Sequence, residues 1–256
     1  MTKGIATTDN IIVNYCLKIS YDGQNYFGWQ RHGNKPTIQY AIEEAIYRTF
    51  GVECKVIGSG RTDRGAHATG QIANVFLPLK LELPEAVAYL NKRLPDEIRI
   101  LELTRVPDNF HARESAVGKL YRYVIWNTTE CPKNKIGRVW HIPAPLDIKA
   151  IYLACQVFQG KHDFASFATK PKFNQKTTVR IISRINIDFQ EPQLSIFICA
   201  NSFLYKMVRN IVRAIVKVGE GRYTLQDIEE ILLSKNRKSS PGTAPASGLF
   251  LDEVYY

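Results

Sequence analysis

Hydrophobic and polar positions along the chain sort into short alternating runs and longer stripes. From Asn14 to Ser20, Tyr15, Leu17 and Ile19 alternate with their neighbours at the period of a half-buried strand. Tyr21 to Gln30 is glycine-punctuated and aromatic, and predicts a loop with large side chains projecting. Pro36 and Thr37 mark a helix start, and Ile38, Ala41, Ile42, Ala45, Ile46 and Phe50 follow at the spacing of one helix face. Cys54 to Ile57 predicts a short strand, Gly58 to Gly70 a glycine-rich loop and Gln71 to Leu77 a strand. Leu83 to Leu94 predicts a helix opened by Pro84, and Ile98 to Val106 another strand. The order β-α-β-β-α-β is that of the ferredoxin-like split βαβ unit.

The second half repeats this order. Leu120 to Trp126 alternates as a strand, Ile148 to Phe158 has helical periodicity, and Val179–Phe189 and Gln193–Ala200 predict a hairpin around Glu191 and Pro192. Leu204 to Val218 carries an apolar stripe at Leu204, Met207, Val208, Ile211, Val212, Ile215 and Val216, with Lys206, Arg209, Arg213 and Lys217 on the opposite side; most of these read as solvated, while Arg209 lies nearer the edge of the stripe. A short helix over Leu225–Leu233 and a strand over Leu249–Tyr255 follow. The expected fold class is therefore α+β, with two similar ferredoxin-like (RRM-like) halves, antiparallel sheets and a central cleft. Residues 1–110 form the first half and residues 111–256 the second.

Composition changes this picture in one respect. A hydrophobic fraction of 45% and a charged fraction of 23% are ordinary for a globular chain and exclude disorder. The net charge of +10 is not ordinary, and points to a polyanion such as nucleic acid. Between Lys133 and Arg184, ten basic residues face only Asp147 and Asp163. Such clustering reads either as an electrostatic footprint or as a lysine-rich solvated surface. The five cysteines have wide spacing and no C-x-x-C pair, which argues against a disulfide framework and a structural zinc site. The segment MTKGIATTDN lacks the apolar core of a signal peptide, and no apolar run has membrane-spanning length. A reduced, cytoplasmic protein with no membrane association is expected.

Candidate chemistry concentrates in Gly58-Ser-Gly-Arg-Thr-Asp-Arg-Gly-Ala-His67. It fails the Walker and Rossmann phosphate-loop patterns, and instead places one carboxylate, Asp63, between Arg61 and Arg64 among glycines. That is a setting for a nucleophile or base, and equally for an aspartate that caps a tight turn. Lys119, Tyr121 and Tyr123 share one strand face, where they could stack a base and hold its phosphate, or pair aromatics in a core. The histidines form neither a zinc-deaminase motif nor H-E-x-x-H, and no nucleophile elbow supports a serine triad.

The segments KISYDGQNYFGWQ, TIQYAIEEAI, GSGRTDRGAHATGQ, DNFHARESAVGKLYRY, GKHDFASF, FLYKMVRNIV and APASGLFL together resemble the tRNA pseudouridine synthases of the TruA type. The resemblance runs in the family's order from about Leu17 to Tyr256. It implies isomerisation of uridine to pseudouridine at positions 38 to 40 of the tRNA anticodon stem-loop, by a homodimer, with neither metal nor cofactor. By the same resemblance Asp63 is the nucleophile, Arg209 pairs with its carboxylate, and Tyr121 packs against the uracil and serves as general base. Arg61 is associated with extruding the target base. Arg64, His67 and Lys119 are further expected substrate contacts, joined by Lys170 and Lys172 of the basic segment. Attack at C1′ or at C6, or formation of a glycal, all remain open to the aspartate. Arg64 and Arg213 depart from the residues usual in the family, and Arg213 is expected to affect RNA or dimer contacts. A non-catalytic RNA binder and a nuclease are the competing classes.

Overall fold

The predicted alternation builds the first strand, β1 (Val13–Tyr21), which buries Tyr15, Leu17, Ile19 and Tyr21 on one face. In the computed structural model, which describes residues 12–78, 82–169 and 177–256, α1 (Ile38–Phe50) begins where its capping signal places it. The Thr37 side chain accepts from the Tyr40 N–H, and Gly51 at φ 69° ends the helix with its own N–H on the Tyr47 carbonyl. The first half continues with β2 (Ile57–Gly58), β3 (His67–Leu77), α2 (Leu83–Arg93) and β4 (Ile98–Arg105). The second comprises β5 (Gly118–Trp126), β6 (Trp140–His141), α3 (Ile148–Val157), β7 (Gly160–Asp163), β8 (Val179–Gln190), β9 (Gln193–Ala200), α4 (Met207–Gly219), α5 (Leu225–Ser234) and β10 (Leu249–Tyr255).

These strands join in one mostly antiparallel sheet of order β4-β1-β3-β10-β5-β9-β8-β7, with β2 beside β3 and β6 beside β5. Within the first half the order is β4-β1-β3-β2; in the second, once the additional short strands β6 and β7 are set aside, it is β10-β5-β9-β8, the same fourth, first, third, second arrangement. The halves meet along a parallel seam in which Phe250 pairs with His67 and Leu251 with Ala68. The expected pair of separate sheets is thus a single continuous one. The connection between the halves is equally unlike a linker. The Asn14 side chain donates to the carbonyls of Pro107 and Phe110, and the Ala112 N–H donates to Asn74.

One sheet face carries Leu17, Val75, Tyr123 and Ile196 into a core shared with the helices, where α2 packs on β4 and α3 packs on α4 and β8. Three boundaries differ from the sequence expectation. β2 shrinks to two residues, because only Ile57 and Gly58 find partners on β3. β3 starts at His67 rather than Gln71, because Ala68 is paired on both sides, by Tyr21 and by Leu251. α4 starts at Met207 rather than Leu204, because Lys206 takes a left-handed conformation at φ 60°. Among the described residues no helix is long and apolar enough to cross a membrane.

Candidate active site

The loop between β2 and β3 is held from two sides. From β3, the Ser59 N–H donates to the Ile72 carbonyl at 2.7 Å, the Ser59 hydroxyl to Gln71 at 2.7 Å, and the Gln71 amide to the Gly60 carbonyl at 3.0 Å. From the segment after β1, the Trp29 N–H donates to the Thr62 carbonyl and the Tyr26 carbonyl accepts from Gly65. Two glycines make the second clasp possible. A Cβ on Gly28 would lie 2.5 Å from the Thr62 carbonyl oxygen, and one on Gly58 would lie 2.5 Å from the Trp29 indole. The large side chains expected to project from Tyr21–Gln30 turn inward instead, with Tyr21, Tyr26 and Trp29 buried. Tyr21 shares a hydrogen bond of 2.8 Å with the Thr62 hydroxyl, and burial pushes its phenol up to about 12.

Asp63 projects from this loop into a cleft of about 1090 Å³ between the loop and the start of α4. It forms an ion pair with Arg209, both side chains being largely buried. Arg209 sits in the first turn of α4, and its Nε donates to the Ala244 carbonyl at 2.7 Å while its own carbonyl accepts from the Ala244 N–H. The acid is thus met by a side chain from the first turn of α4 that is itself held in place. Among the described residues Asp63 is the one acid of the lining, whereas Arg61, Arg113, Lys119, Arg180, Lys206 and Arg209 are all cations.

Tyr121 reaches the cleft from β5, nearly buried, with its ring edge-on to Phe203 at 5.0 Å between centroids. Burial, then the nearby Tyr21 and Asp63, raise its phenol well above the ordinary tyrosine range, so it keeps its proton at neutral pH. Lys119, two residues earlier, donates to the Ser59 carbonyl at 2.6 Å. Arg61 lies exposed at the rim.

The other expected contacts sit elsewhere. Arg64 does not line the cleft, and its guanidinium stacks over the Phe27 ring at 4.2 Å. His67 is 1% exposed, with Nδ1 at 3.0 Å from Asp22 and 3.1 Å from the Gly23 N–H, Nε2 at 3.0 Å from the Gly137 carbonyl, and its ring stacked on Phe250. It ties the end of the Asp63 loop to both halves rather than facing the cleft. Lys170 and Lys172 lie outside the described residues; Thr169 and Thr177, on either side of that segment, line the cleft.

The solvated reading of α4 fails at two of its cations, since Arg213 stacks over Trp140 at 5.2 Å and Lys217 is buried against Glu220 at 2.6 Å; Arg209, at the edge of the apolar stripe, turns to Asp63. Part of the basic segment is engaged with the fold at its surface, with Arg138 paired to Asp22 and Lys135 over Trp126. Asp22, Gln71 and Phe203 all support the site without having been singled out in the sequence. All three stand inside quoted motifs, but nothing in their spacing shows what they touch. Among the described residues no cluster of three or more His, Cys, Asp or Glu could hold a metal ion.

A profile described as tRNA pseudouridine synthase matches residues 18–113 and 154–256 of the chain. A protein named tRNA pseudouridine synthase A from Methylacidiphilum infernorum is 40% identical over 247 residues, covering 96% of this chain and 96% of its own length. Proteins of the same name from Caldicellulosiruptor bescii and Bacillus sp. strain KSM-64 are each 41% identical, over 243 and 244 residues, and each match covers 95% of this chain and 99% of the relative. Among solved structures, an archaeal box H/ACA sRNP Nop10-Cbf5 complex aligns at a TM-score of 0.33 and 13% identity, covering 83% of this chain and 53% of that one.

Proposed function

Because the chain belongs to the tRNA pseudouridine synthase family, we propose that it converts uridine to pseudouridine at positions 38 to 40 of the anticodon stem-loop, with Asp63 as the nucleophile. The family is one of isomerases acting on tRNA uridines. The reaction breaks the N1–C1′ bond, turns the uracil and joins C5 to C1′, so nothing is gained or lost except the C5 proton that moves to N1. The observation that carries the assignment of Asp63 is its isolation. It is the one acid among the described residues lining a cationic cleft, and Arg209 pairs with it there.

The uridine must leave its stack to reach Asp63, at a cost of a few kcal/mol that backbone contacts offset. In this reading Arg61, exposed in the lining of the cleft, enters the space the base vacates. Tyr121 offers the ring against which the uracil packs. In the free protein it is a neutral phenol, so it acts as a proton acceptor only once a bound substrate has changed its surroundings. The remaining cations of the cleft, with the Lys133–Arg184 segment, supply the grip on the tRNA body.

We further read residues 1–110 and 111–256 as two ferredoxin-like halves, supported by their common strand order. The working unit in this reading is a cytoplasmic homodimer bound to tRNA. The test is to incubate the protein with unmodified tRNA transcripts and map pseudouridine. Product in the anticodon arm is expected, and none there would overturn the substrate assignment.

A further inference from the structure

Lys119 stands two residues before Tyr121 on β5, so both side chains leave the same face of the strand. Its ammonium has three N–H donors, and among the described residues it makes one hydrogen bond, to the Ser59 carbonyl. No carboxylate among those residues lies within ion-pair distance of it, and Asp63, the acid of the cleft, is already taken by Arg209. Burial first, and then the charge of Arg113, push its pKa down to about 8.

The loop does not depend on this bond. Ser59 and Gly60 are already fixed from behind by Ile72 and Gln71. A Cβ on Gly60 would lie 3.0 Å from the Lys119 nitrogen, so the glycine leaves open the space in front of the ammonium. An under-satisfied cation in a partly buried seat is destabilised until an anion joins it.

On the reading of the chain as a tRNA uridine isomerase, we propose that Lys119 holds a phosphate flanking the target uridine, in a seat formed with Gly60 and Arg113. Charge selects phosphate over a uracil carbonyl. A phosphate carries a full negative charge before, during and after the reaction, and so offsets the cost of a buried ammonium throughout. The contact therefore acts on binding rather than on the chemical step. It also makes binding proton-linked, because above about pH 8 the free lysine has lost its proton and binding must restore it. Among the described residues the other ionisable groups lining this cleft are the cations Arg61, Arg113, Arg180, Lys206 and Arg209, the acid Asp63, and the tyrosines Tyr121 and Tyr205; the Tyr121 phenol lies higher still.

The test uses the full chain with anticodon-arm RNAs carrying native phosphates or a neutral methylphosphonate at each flanking position in turn. Affinity, KM and kcat are measured for wild type, Lys119→Met and Lys119→Arg from about pH 6 to about pH 10. Lys119→Met should weaken binding and raise KM about 10–100-fold, the range of a lost charge-assisted contact. One methylphosphonate should cost wild type a similar factor and Lys119→Met little more. Wild-type affinity should fall above about pH 8. Lys119→Arg should bind with no such fall, since arginine stays charged.

A Lys119→Met variant that loses kcat alone, or that suffers the full methylphosphonate penalty at both positions, would overturn the assignment. Wild type that makes no pseudouridine would refute the family reaction instead, and the affinity measurements would still decide the role of Lys119.

Discussion

Arg209 grips Asp63 through one guanidinium nitrogen while another donates to the Ala244 carbonyl at 2.7 Å, so the partner of the acid is itself anchored. Lysine keeps the charge but cannot span both contacts. Arg209→Lys should therefore cost about 1–2 kcal/mol of stability, a figure reduced for partial solvent screening. Its single-turnover rate should drop by about 10–100-fold. Urea unfolding and rapid-quench assays on tRNA transcripts check the two halves of this expectation.

Asp63→Asn removes the proposed nucleophile and leaves a side chain of the same shape. Product formation should fall by at least about a thousandfold, while tRNA affinity changes only a few-fold. Wild-type turnover in this variant would show that the carboxylate is not the reacting group.

Gly28 has φ of +87° and touches the backbone beside Asp63. Gly28→Ala combines backbone strain with a clash against Thr62, and should cost about 2–3 kcal/mol and lower kcat as the loop shifts. Gly51 is the control, with φ of +69° at the end of α1 and open space around its Cβ position. Gly51→Ala should lower the melting temperature and leave kcat alone.

Asp22 is expected to set part of the acid stability. Burial disfavours its charge, but the hydrogen bonds from His67 and the Gln24 N–H, with the charges of His67 and Arg138, outweigh that and bring its pKa from 3.8 to about 2. A depressed carboxylate stabilises the fold above its unfolded value and loses that contribution as pH falls through the folded one. Wild type should thus lose stability between about pH 4 and about pH 2 more steeply than Asp22→Asn, as read by urea titrations across that window.

Charge reversal at Lys170 and Lys172, in the basic segment, should weaken tRNA binding and lower the slope of log affinity against log salt by about 2. The rate at saturating tRNA should be largely preserved. Binding unchanged at low salt would return these lysines to an ordinary solvated surface.

Much of the fold was legible because local chemistry agreed with it. Thr37 and Gly51 bracket α1, and the alternation at Tyr15, Leu17 and Ile19 gives β1. Asp63 and Tyr121 stood out by residue type and by the resemblance of their motifs. What stayed hidden depends on contacts between distant segments. The inward turn of Trp29 answers to Gly58, and the early start of β3 to a strand at the far end of the sequence. Lys217 reads as a solvated charge until Glu220 and the surrounding core are in place. Periodicity reports which face is apolar; it does not report which charged side chain has a partner waiting.

The seam between β3 and β10 has a consequence for synthesis. β10 is the last described strand to be made, yet it fills the middle of the sheet. A nascent chain that has delivered β1 to β9 carries two unfinished edges, β3 and β5, and has no sheet to set the Asp63 loop against Arg209. Long-range pairings of this kind form slowly and leave open edges prone to wrong partners. The two halves can begin folding in the order they emerge, but the cleft closes only when β10 slots between them.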